Sequence, residues 1–298
     1  MDKKMQTFLT VCETMNFTRA AEKLYLSQPA VTAQIHALEK EYGITLFNYS
    51  RKKLTLTPQG EILLKAGYAM RSDEKTLRRR LLRPDPDTPH IHFGVTKTIG
   101  EYVIARPLAR YLQSQPDASV TMEIENTKDL LRMLEEGTIQ FALIEGYFDH
   151  EEFETLLYDT VPFVPVCAAG HRFAREPEKL SDLFSERLII REPGSGTRRL
   201  LENQLTVMGY RVEDFQRHIQ VGGMHAILQM LEEDAGISFL YYPAARDQIR
   251  AGRLRLITLS DFHVRHDFTF LWEAGSIYRD RYRQICQSIK AYAAGPDI

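Results

Sequence analysis

The stretch from Phe17 to Gly43 constrains this chain most, because its pattern is that of two short helices joined by a tight turn. Thr18 is the predicted N-cap of the first helix and Ser27 that of the second. Pro29 falls in the first turn of the second helix, where no hydrogen bond is lost. Helical spacing predicts that four apolar residues of the second helix form one buried stripe: Val31, Ile35, Leu38 and Tyr42.

The opposite side of the second helix carries small polar side chains and no large aliphatic residue. A helix with one buried face and one small polar face suits the DNA major groove. The alternative is an ordinary amphipathic helix in a helical domain, since helix-turn-helix patterns have many false matches. On the groove interpretation, the residues of this element expected to contact DNA are Ser27, Gln28, Pro29, Thr32, Gln34 and His36.

The charge of the chain is distributed unevenly. Residues 1–83 hold 15 Lys and Arg against 8 Asp and Glu, a net charge of +7, and the remainder has a net charge of -9. A basic N-terminal part on an acidic body indicates a polyanionic partner for the first part only. The alternative is chance clustering, because Arg78, Arg79, Arg80 and Arg83 supply over half of the excess.

A first helix and a β-hairpin flank the helix pair. Met5, Phe8, Leu9, Cys12 and Met15 form a helical stripe before it. After Gly43, two β-like pieces at 44–47 and 54–57 enclose a basic tip, which predicts a hairpin wing. We expect Arg51 and Lys52 to contact phosphates or the minor groove. The alternative for such a tip is a solvated turn.

A long helix follows the wing. Thr57 is its predicted cap and Pro58 its first residue, and it is expected to end near Leu82, before a Pro- and Asp-rich linker. Leu63, Met70 and Leu77 recur every seven residues, so this seam predicts a partner helix from a second subunit. The alternative is packing along its own chain.

From Ile91 onward, short apolar runs alternate with helical stretches, which is βαβ patterning and predicts a parallel sheet. The predicted strands are 91–95, 120–124, 141–144, 161–168, 188–191, 218–221, 237–240 and 268–272. The predicted helices are 100–113, 128–136, 197–208, 224–233 and 278–293.

Taken together, these motifs resemble the LysR-type transcriptional regulator family over the full length. The resemblance rests on Phe17–Ala21, Leu26–Val31, Leu46-Phe47, Leu56–Gly60, Arg191–Arg198 and Ala235–Leu240. It implies an α/β chain with an N-terminal, mainly α winged helix-turn-helix, and an effector domain of two α/β lobes resembling a periplasmic binding protein. Where the family often has an arginine after the Leu-Phe pair of the wing, this chain has Tyr49.

The resemblance also implies a domain order. The expected parts are a winged helix-turn-helix at 1–57, a dimerisation helix at 58–83, a hinge at 84–90 and an effector domain at 91–298. The first lobe is expected at about 91–162 and 268–298 and the second at about 163–267, with crossings near 162–165 and 264–267. The protein is expected to bind double-stranded DNA as a homodimer or homotetramer.

An effector site between two such lobes is expected at strand ends and helix starts, where free N–H groups favour anions. The matching junctions are 95–100, 193–197 and 222–225, and Glu145 follows the third strand of the first lobe. The candidate residues are Thr96, Lys97, Thr98, Glu145, Ser195, Gly196, Thr197 and His225. Plain helix capping is the alternative at each junction. Glu145 could hold a proton beside an anion or bind a ligand amine or hydroxyl. A C-terminal half that only oligomerises, without an effector, is the alternative function.

Other classes of protein explain the chain less well. The histidines lack metal-ligand spacing, the Gly-x-Ser-x-Gly elbow is absent around Ser195, and no phosphate-binding Gly-x-x-x-x-Gly-Lys loop occurs. We therefore expect no catalytic residue, metal or cofactor. A solute-binding protein would explain only residues 91–298. No signal peptide or membrane-length apolar run is apparent, and Cys12, Cys167 and Cys286 fit buried thiols in a reducing cytoplasm.

Overall fold

The computed structural model describes residues 1–50, 53–82, 90–149 and 152–293. Arg51, Lys52 and nearly all of the predicted hinge lie outside these ranges. The described chain consists of a small helical domain with a hairpin, one long helix and a larger α/β region.

The N-terminal domain has the predicted order of elements. They are α1 (Lys3–Thr14), α2 (Phe17–Leu24), α3 (Gln28–Tyr42), β1 (Phe47–Ser50) and β2 (Lys53–Leu56). The strand β1 begins three residues later than predicted, and Ser50 pairs with Lys53, so the hairpin connection is two residues long. Val31, Ile35 and Leu38 are buried against α1, but Tyr42 is 50% exposed and does not belong to the stripe.

The caps of the helix pair differ from the prediction in one place. Asn16, and not Thr18, caps α2: its side-chain oxygen accepts hydrogen bonds from the amides of Thr18 and Arg19 at 2.9 and 3.0 Å. Ser27 caps α3 through the amide of Ala30, as predicted. The N-cap residue precedes the helix, and Thr18 lies inside the first turn of α2, so the helix begins earlier than the Thr18 cap implied.

The long helix α4 (Pro58–Leu81) begins as predicted, because the Thr57 hydroxyl accepts a hydrogen bond from the amide of Gly60 at 2.9 Å. Its predicted seam is wrong at Leu63, which is buried in the core of the N-terminal domain. Met70 and Leu77 are exposed, and so are two further apolar residues of α4, Ile62 and Leu81. The exposed apolar stripe is therefore Ile62, Met70, Leu77 and Leu81.

Another side of α4 packs on the α/β region of its own chain. The side chain of Asp73 accepts hydrogen bonds from the Ser276 hydroxyl at 2.6 Å and from the Ile277 amide at 2.9 Å. Arg71 donates to the carbonyl oxygen of Glu135 at 2.8 Å. Packing along the chain and an exposed stripe thus occur together on α4.

The first lobe of the α/β region surrounds three short strands. Its elements are β3 (His90–Thr96), β4 (Ser119–Glu125), β5 (Phe141–Ile144), α5 (Lys97–Tyr102), α6 (Ala105–Ser114), α7 (Thr127–Glu135) and α11 (Arg279–Ala293). The strand β3 pairs in parallel with both β4 and β5. The single helix predicted at 100–113 is wrong, because the chain turns at Val103 and Ile104, whose amides both donate to the carbonyl oxygen of Ile99. These β-branched residues favour a helix less than their neighbours.

The second lobe contains four strands and three helices. They are β7 (Arg187–Arg191), β8 (Arg217–Val221), β9 (Ser238–Tyr241), β10 (Leu254–Leu256), α8 (Gly196–Val207), α9 (Met224–Glu232) and α10 (Tyr242–Arg250), with short 3₁₀ helices at Leu180–Leu183 and Val212–Asp214. The strands β7 and β8 pair in parallel. The sequence did not predict α10 or β10.

Two long antiparallel strands, β6 (Phe153–Ala168) and β11 (Val264–Glu273), run through both lobes. In the first lobe β11 pairs with β5, and in the second β6 pairs with β9 and β10. Residues 162–165 and 264–267, where the crossings were predicted, belong to β6 and β11 respectively. The wholly parallel sheet is wrong, and both long strands begin earlier than predicted, because half-exposed crossover strands do not form continuous apolar runs.

The structure also describes the three cysteines and the apolar content of the helices. Cys12, Cys167 and Cys286 are buried free thiols, as predicted. None of the described helices is long and apolar enough to span a bilayer.

Candidate functional site

Three strand–helix junctions surround a cavity of about 190 Å³ between the two lobes. The first lobe contributes the junctions from β3 to α5 and from β4 to α7, and the second contributes the junction from β7 to α8. We call this the inter-lobe cavity. Its lining residues are Thr96, Lys97, Thr98, Glu125, Asn126, Thr127, Glu145, Arg191, Glu192, Pro193, Gly194, Ser195 and Gly196.

Glu145 is a buried carboxyl group of the inter-lobe cavity and is only 4% exposed. The Thr96 hydroxyl donates a hydrogen bond to it. A Cβ atom on Gly196 would lie 3.4 Å from Cγ of Glu145, so the first turn of α8 rests on this side chain. Burial raises the pKa of Glu145 to about 7, although hydrogen bonds to the carboxylate and the positive charge of Arg191 offset part of the rise. Near neutral pH the group can therefore be either a donor or an acceptor.

Hydroxyl groups of both lobes meet at the inter-lobe cavity. Oγ1 of Thr98 lies 3.5 Å from Oγ1 of Thr197, across the two lobes. Ser195 is the N-cap of α8, yet its side chain makes no capping hydrogen bond. The Thr127 hydroxyl at the start of α7 is buried and has no hydrogen-bond partner within the described residues. Ser195 and Thr127 can both donate to a ligand.

Two cationic side chains of the described residues line the inter-lobe cavity, and both are paired with the carboxylate of Glu192. Arg191 is buried and makes a bidentate ion pair with Glu192, at 2.7 and 2.9 Å, and Nζ of Lys97 lies 3.5 Å from the same carboxylate. Burial of Glu192 raises its pKa, but the hydrogen bonds and charge of Arg191 outweigh that effect and hold the pKa below its usual range. Arg198 does not line the inter-lobe cavity and instead bonds to Glu202 at 2.7 Å.

The structure brings together all but one of the predicted effector residues. Thr197 meets Thr98, and the others line the inter-lobe cavity, but His225 lies exposed at the start of α9 and takes no part in its wall. The third junction at the inter-lobe cavity is the one from β4 to α7, whereas the sequence predicted the one at 222–225. The reason is topological: β4 pairs directly with β3, whereas β8 pairs only with β7.

Several residues of the site were not predicted, among them Glu125 and Glu192 of the cavity lining. Asn126 and Thr127 could have been found from the end of β4, because they follow an apolar run and open a helix. Arg191 also follows an apolar run, where a charged residue is a signal. His266 has no local signal: its Nε2 lies 2.6 Å from the carbonyl oxygen of Glu145 and fastens the crossover strand β11 to the site.

The start of α3 presents an exposed polar surface. Ser27, Gln28 and Pro29 are exposed, and Nε2 of Gln28 donates to the hydroxyl of Thr32 at 3.0 Å. His36 is also exposed, one turn further on. This agrees with the predicted polar face.

Gln34 does not belong to that exposed face. Its side-chain oxygen accepts a hydrogen bond from the Thr7 hydroxyl of α1 at 2.6 Å, so it holds α3 in the domain. Spacing along α3 could not show that a polar residue beside the apolar stripe pairs inward. Tyr25, in the turn before α3, is 95% exposed and was not predicted as part of the surface.

Family models match both parts of the chain. The model described as "Bacterial regulatory helix-turn-helix protein, lysR family" matches residues 3–61, and that of the LysR substrate binding domain matches residues 84–294. This chain belongs to the LysR family. It is a LysR-type transcriptional regulator and not an enzyme, and its winged helix-turn-helix and two-lobed α/β fold are those that the sequence predicted.

Similar LysR regulators cover nearly the whole chain. CysL of Bacillus subtilis is 28% identical over 280 residues, which span 90% of this chain and 89% of CysL. CfxR of Cupriavidus necator is 28% identical over 97% of this chain and 90% of its own length.

Solved structures share the fold at lower identity. Full-length LysG from Corynebacterium glutamicum with bound effector Arg has a TM-score of 0.62 and 15% identity, and the match covers 98% of both chains. The Synechocystis CcmR regulatory domain in complex with 2-PG has a TM-score of 0.60 and 19% identity over 68% of this chain and 98% of its own.

Proposed function

We propose that this LysR regulator binds specific double-stranded DNA sites through α3 and the wing, and that a small anionic effector in the inter-lobe cavity modulates its action. The observation that carries the effector part is the inter-lobe cavity itself, in which hydroxyl groups and two helix starts from different lobes surround a space of about 190 Å³. We also propose that it acts in the cytoplasm, where the DNA that it regulates lies.

Several features support an anion as the effector. The helices α7 and α8 direct their N-terminal ends, which are the positive ends of their dipoles, to the inter-lobe cavity. Thr127 and Ser195 supply hydroxyl donors. A protonated Glu145 can donate one more hydrogen bond to an oxyanion, which removes the objection that a carboxylate would repel it. The structures of LysG with Arg and CcmR with 2-PG support a small molecule as the ligand of this fold.

The alternative of an oligomerisation module without an effector is less well supported. A purely structural domain would satisfy its buried polar groups within the chain, because an unpaired buried hydroxyl costs free energy. The Thr127 hydroxyl beside the inter-lobe cavity has no such partner within the described residues. A ligand that accepts its hydrogen bond explains this arrangement.

The effector proposal predicts a selective loss in Ser195→Ala. Screening sulfate, phosphate and small carboxylates by thermal shift should identify an anion that stabilises the wild-type protein. Ser195→Ala removes one charge-assisted hydrogen bond and should weaken that anion about tenfold. Ser288→Ala, on the exposed side of α11, is the control and should leave the affinity unchanged. If only neutral or cationic compounds stabilise the protein, the anion proposal is wrong.

The DNA-binding proposal assigns base contacts to Gln28, with Ser27, Pro29, Thr32 and His36 beside it. A bidentate contact from glutamine to adenine contributes about 1–3 kcal/mol of discrimination. Gln28→Ala should therefore weaken binding to a specific site about tenfold or more and leave binding to random DNA nearly unchanged. Fluorescence anisotropy with both DNAs measures this difference, and Gln216→Ala, an exposed glutamine of the second lobe, is the control.

Equal losses on specific and random DNA would remove Gln28 from sequence readout. We further propose phosphate or minor-groove contacts for Arg51 and Lys52. Their charge places them in the class of residues that strengthen binding without specifying sequence.

We propose that the exposed apolar stripe of α4 forms a dimer, from which a tetramer could assemble. The described residues of the chain leave Met70 and Leu77 exposed, and a second copy of α4 would cover them. Met70→Glu combined with Leu77→Glu should lower the mass measured by sedimentation equilibrium to that of one chain. Val207→Glu, at an exposed apolar residue of α8, is the control. A double variant with the mass of the wild-type assembly would contradict this proposal.

A further inference from the structure

A second cavity, of about 380 Å³, lies where α4 meets the first lobe. One wall comes from the hairpin and α4, through Leu56, Glu61, Leu64, Lys65 and Tyr68. The facing wall comes from the first lobe and the ends of the long strands, through Glu135, Asp149, Glu152, Phe153 and Glu273. We call it the linker cavity. It shares no lining residue with the inter-lobe cavity.

The linker cavity is strongly acidic. Five carboxyl groups line it, those of Glu61, Glu135, Asp149, Glu152 and Glu273, against one lysine, Lys65. Arg71 lies nearby, where it pairs with Glu13 at 2.8 Å, bonds to the carbonyl oxygen of Glu135 and lies over the Tyr68 ring, 5.1 Å from its centre. Its Nη2 is buried without a hydrogen-bond partner among the described residues, and its charge offsets part of the rise in the pKa of Glu273. Among the described residues, the lining of the linker cavity therefore has an excess of carboxyl groups over cationic side chains.

Glu273 is the most informative of these acids. It is 4% exposed, and its Oε1 is buried without a hydrogen-bond partner within the described ranges. Burial raises its pKa to about 8, and the negative charges of Glu135 and Glu152 add to the rise. A buried carboxyl oxygen without a donor is costly, so this position favours a ligand that brings a donor and a positive charge.

We propose that the linker cavity binds an aliphatic amine, whose ammonium group donates to Glu273 and whose stem lies against Leu64, Phe153 and Tyr68. An ammonium group carries three donors and one positive charge, which matches a set of carboxyl groups better than a single proton does. No group of three acidic, histidine or cysteine side chains in the described residues can hold a metal ion, so an organic cation fits better.

Such a ligand would act at a different place from an effector between the lobes. The linker cavity is bounded by α4 on one side and by the first lobe on the other. An amine that contacts both walls stabilises the conformation in which α4 and the first lobe are close together. The size of this effect is set by the difference between the affinities of the amine for that conformation and for one in which the walls are apart. It would thus bias the position of the DNA-binding domain relative to the first lobe.

The test is a thermal-shift titration of the full chain with n-butylamine and putrescine in an amine-free buffer. Matched ionic strength with NaCl controls for screening, and 1-butanol controls for the apolar stem. We expect both amines to raise the Tm of the wild-type protein in a saturable way. In Glu273→Gln, which keeps the shape but removes the charge, the apparent Kd should be at least about tenfold weaker.

Two further variants make the result decisive. Glu152→Gln, on the same wall of the linker cavity as Glu273, should also weaken the binding of the amines, and it replaces Glu273→Gln if that variant unfolds. Glu233→Gln, an exposed carboxylate at the end of α9, should bind them like the wild-type protein. The proposal is wrong if neither amine raises the Tm more than NaCl does, or if the variants at Glu273 and Glu152 respond as the wild-type protein does. Neither of these results would test the separate proposal that an anion binds in the inter-lobe cavity.

Discussion

Glu145→Gln is expected to stabilise the protein above neutral pH by about 3 kcal/mol relative to the wild-type protein. Burial raises the pKa of Glu145 to about 7 in the folded state, from 4.5 for an exposed group. The folded state therefore holds this proton more tightly than the unfolded state. Its contribution to stability is complete below about pH 4.5 and is lost as the pH rises through about 7. Glutamine has the same shape as glutamate and cannot ionise, so the variant does not lose stability as the pH rises.

Urea unfolding at about pH 5 and about pH 9, on either side of the shifted pKa, measures the effect. From about pH 5 to about pH 9, the difference in the free energy of unfolding between Glu145→Gln and the wild-type protein should grow by most of the expected value of about 3 kcal/mol. Glu125→Gln is the control, because it makes the same substitution at an exposed carboxylate of the same cavity. A flat difference for Glu145→Gln would mean that Glu145 ionises in the folded protein as it does in water.

The same proton should govern anion binding. An anion beside Glu145 favours the protonated carboxyl, so affinity should fall as the pH rises through 7, by up to about tenfold per pH unit. Glu145→Gln should remove this dependence. An affinity that rises with pH would show that the ionised form of Glu145 holds the ligand, and a ligand amine would then be the better proposal.

Gly60→Ala is expected to destabilise the N-terminal domain by about 2–4 kcal/mol. A Cβ atom at this position would lie 2.4 Å from the carbonyl oxygen of Leu46 and 2.9 Å from a methyl carbon of Leu56. The backbone atom cannot move aside, because the amide of Thr57 donates to the same oxygen at 3.0 Å. This close approach explains why glycine follows the Thr-Pro-Gln start of α4.

Hydrogen exchange and tryptophan fluorescence separate this effect from general unfolding. Amides of α1, α2 and α3 should lose protection in Gly60→Ala, and DNA affinity should fall with them. Trp272 is the single tryptophan and is fully buried in the α/β region, so its unfolding midpoint should change less. Gly170→Ala is the matched control, because nothing lies within 4 Å of an added Cβ atom there. Unaltered protection in α1–α3 would contradict the proposed clash.

The sequence predicted several local features of α3 and of the start of α4 correctly. The Ser27 cap, the Thr57-Pro58 start and the Val31, Ile35 and Leu38 stripe each depend on neighbours within about one or two helical turns. Periodicity could not say which partner buries an apolar residue. Leu63 packs in its own domain and Met70 does not, although both occupy the same predicted seam.

At the effector site, too, the sequence predicted local features but not the tertiary arrangement. Strand ends and helix starts were predicted from local patterns, and Thr96, Thr98 and Ser195 therefore meet as expected. Which junctions converge depends on the order of strands in the sheet, which local patterns do not contain, so His225 was wrongly included. Glu273 has no local signal at all, since only tertiary packing buries it.

Selection of bound DNA from a random library tests the central claim of sequence-specific binding through α3 most directly. The wild-type chain and Gln28→Ala would each be carried through several rounds, and the enriched pools would be sequenced. The account predicts one shared, nearly two-fold symmetric sequence in the wild-type pool and relaxed preference at particular base positions in the variant pool. A wild-type pool without an enriched sequence, or identical preferences in both pools, would contradict the account.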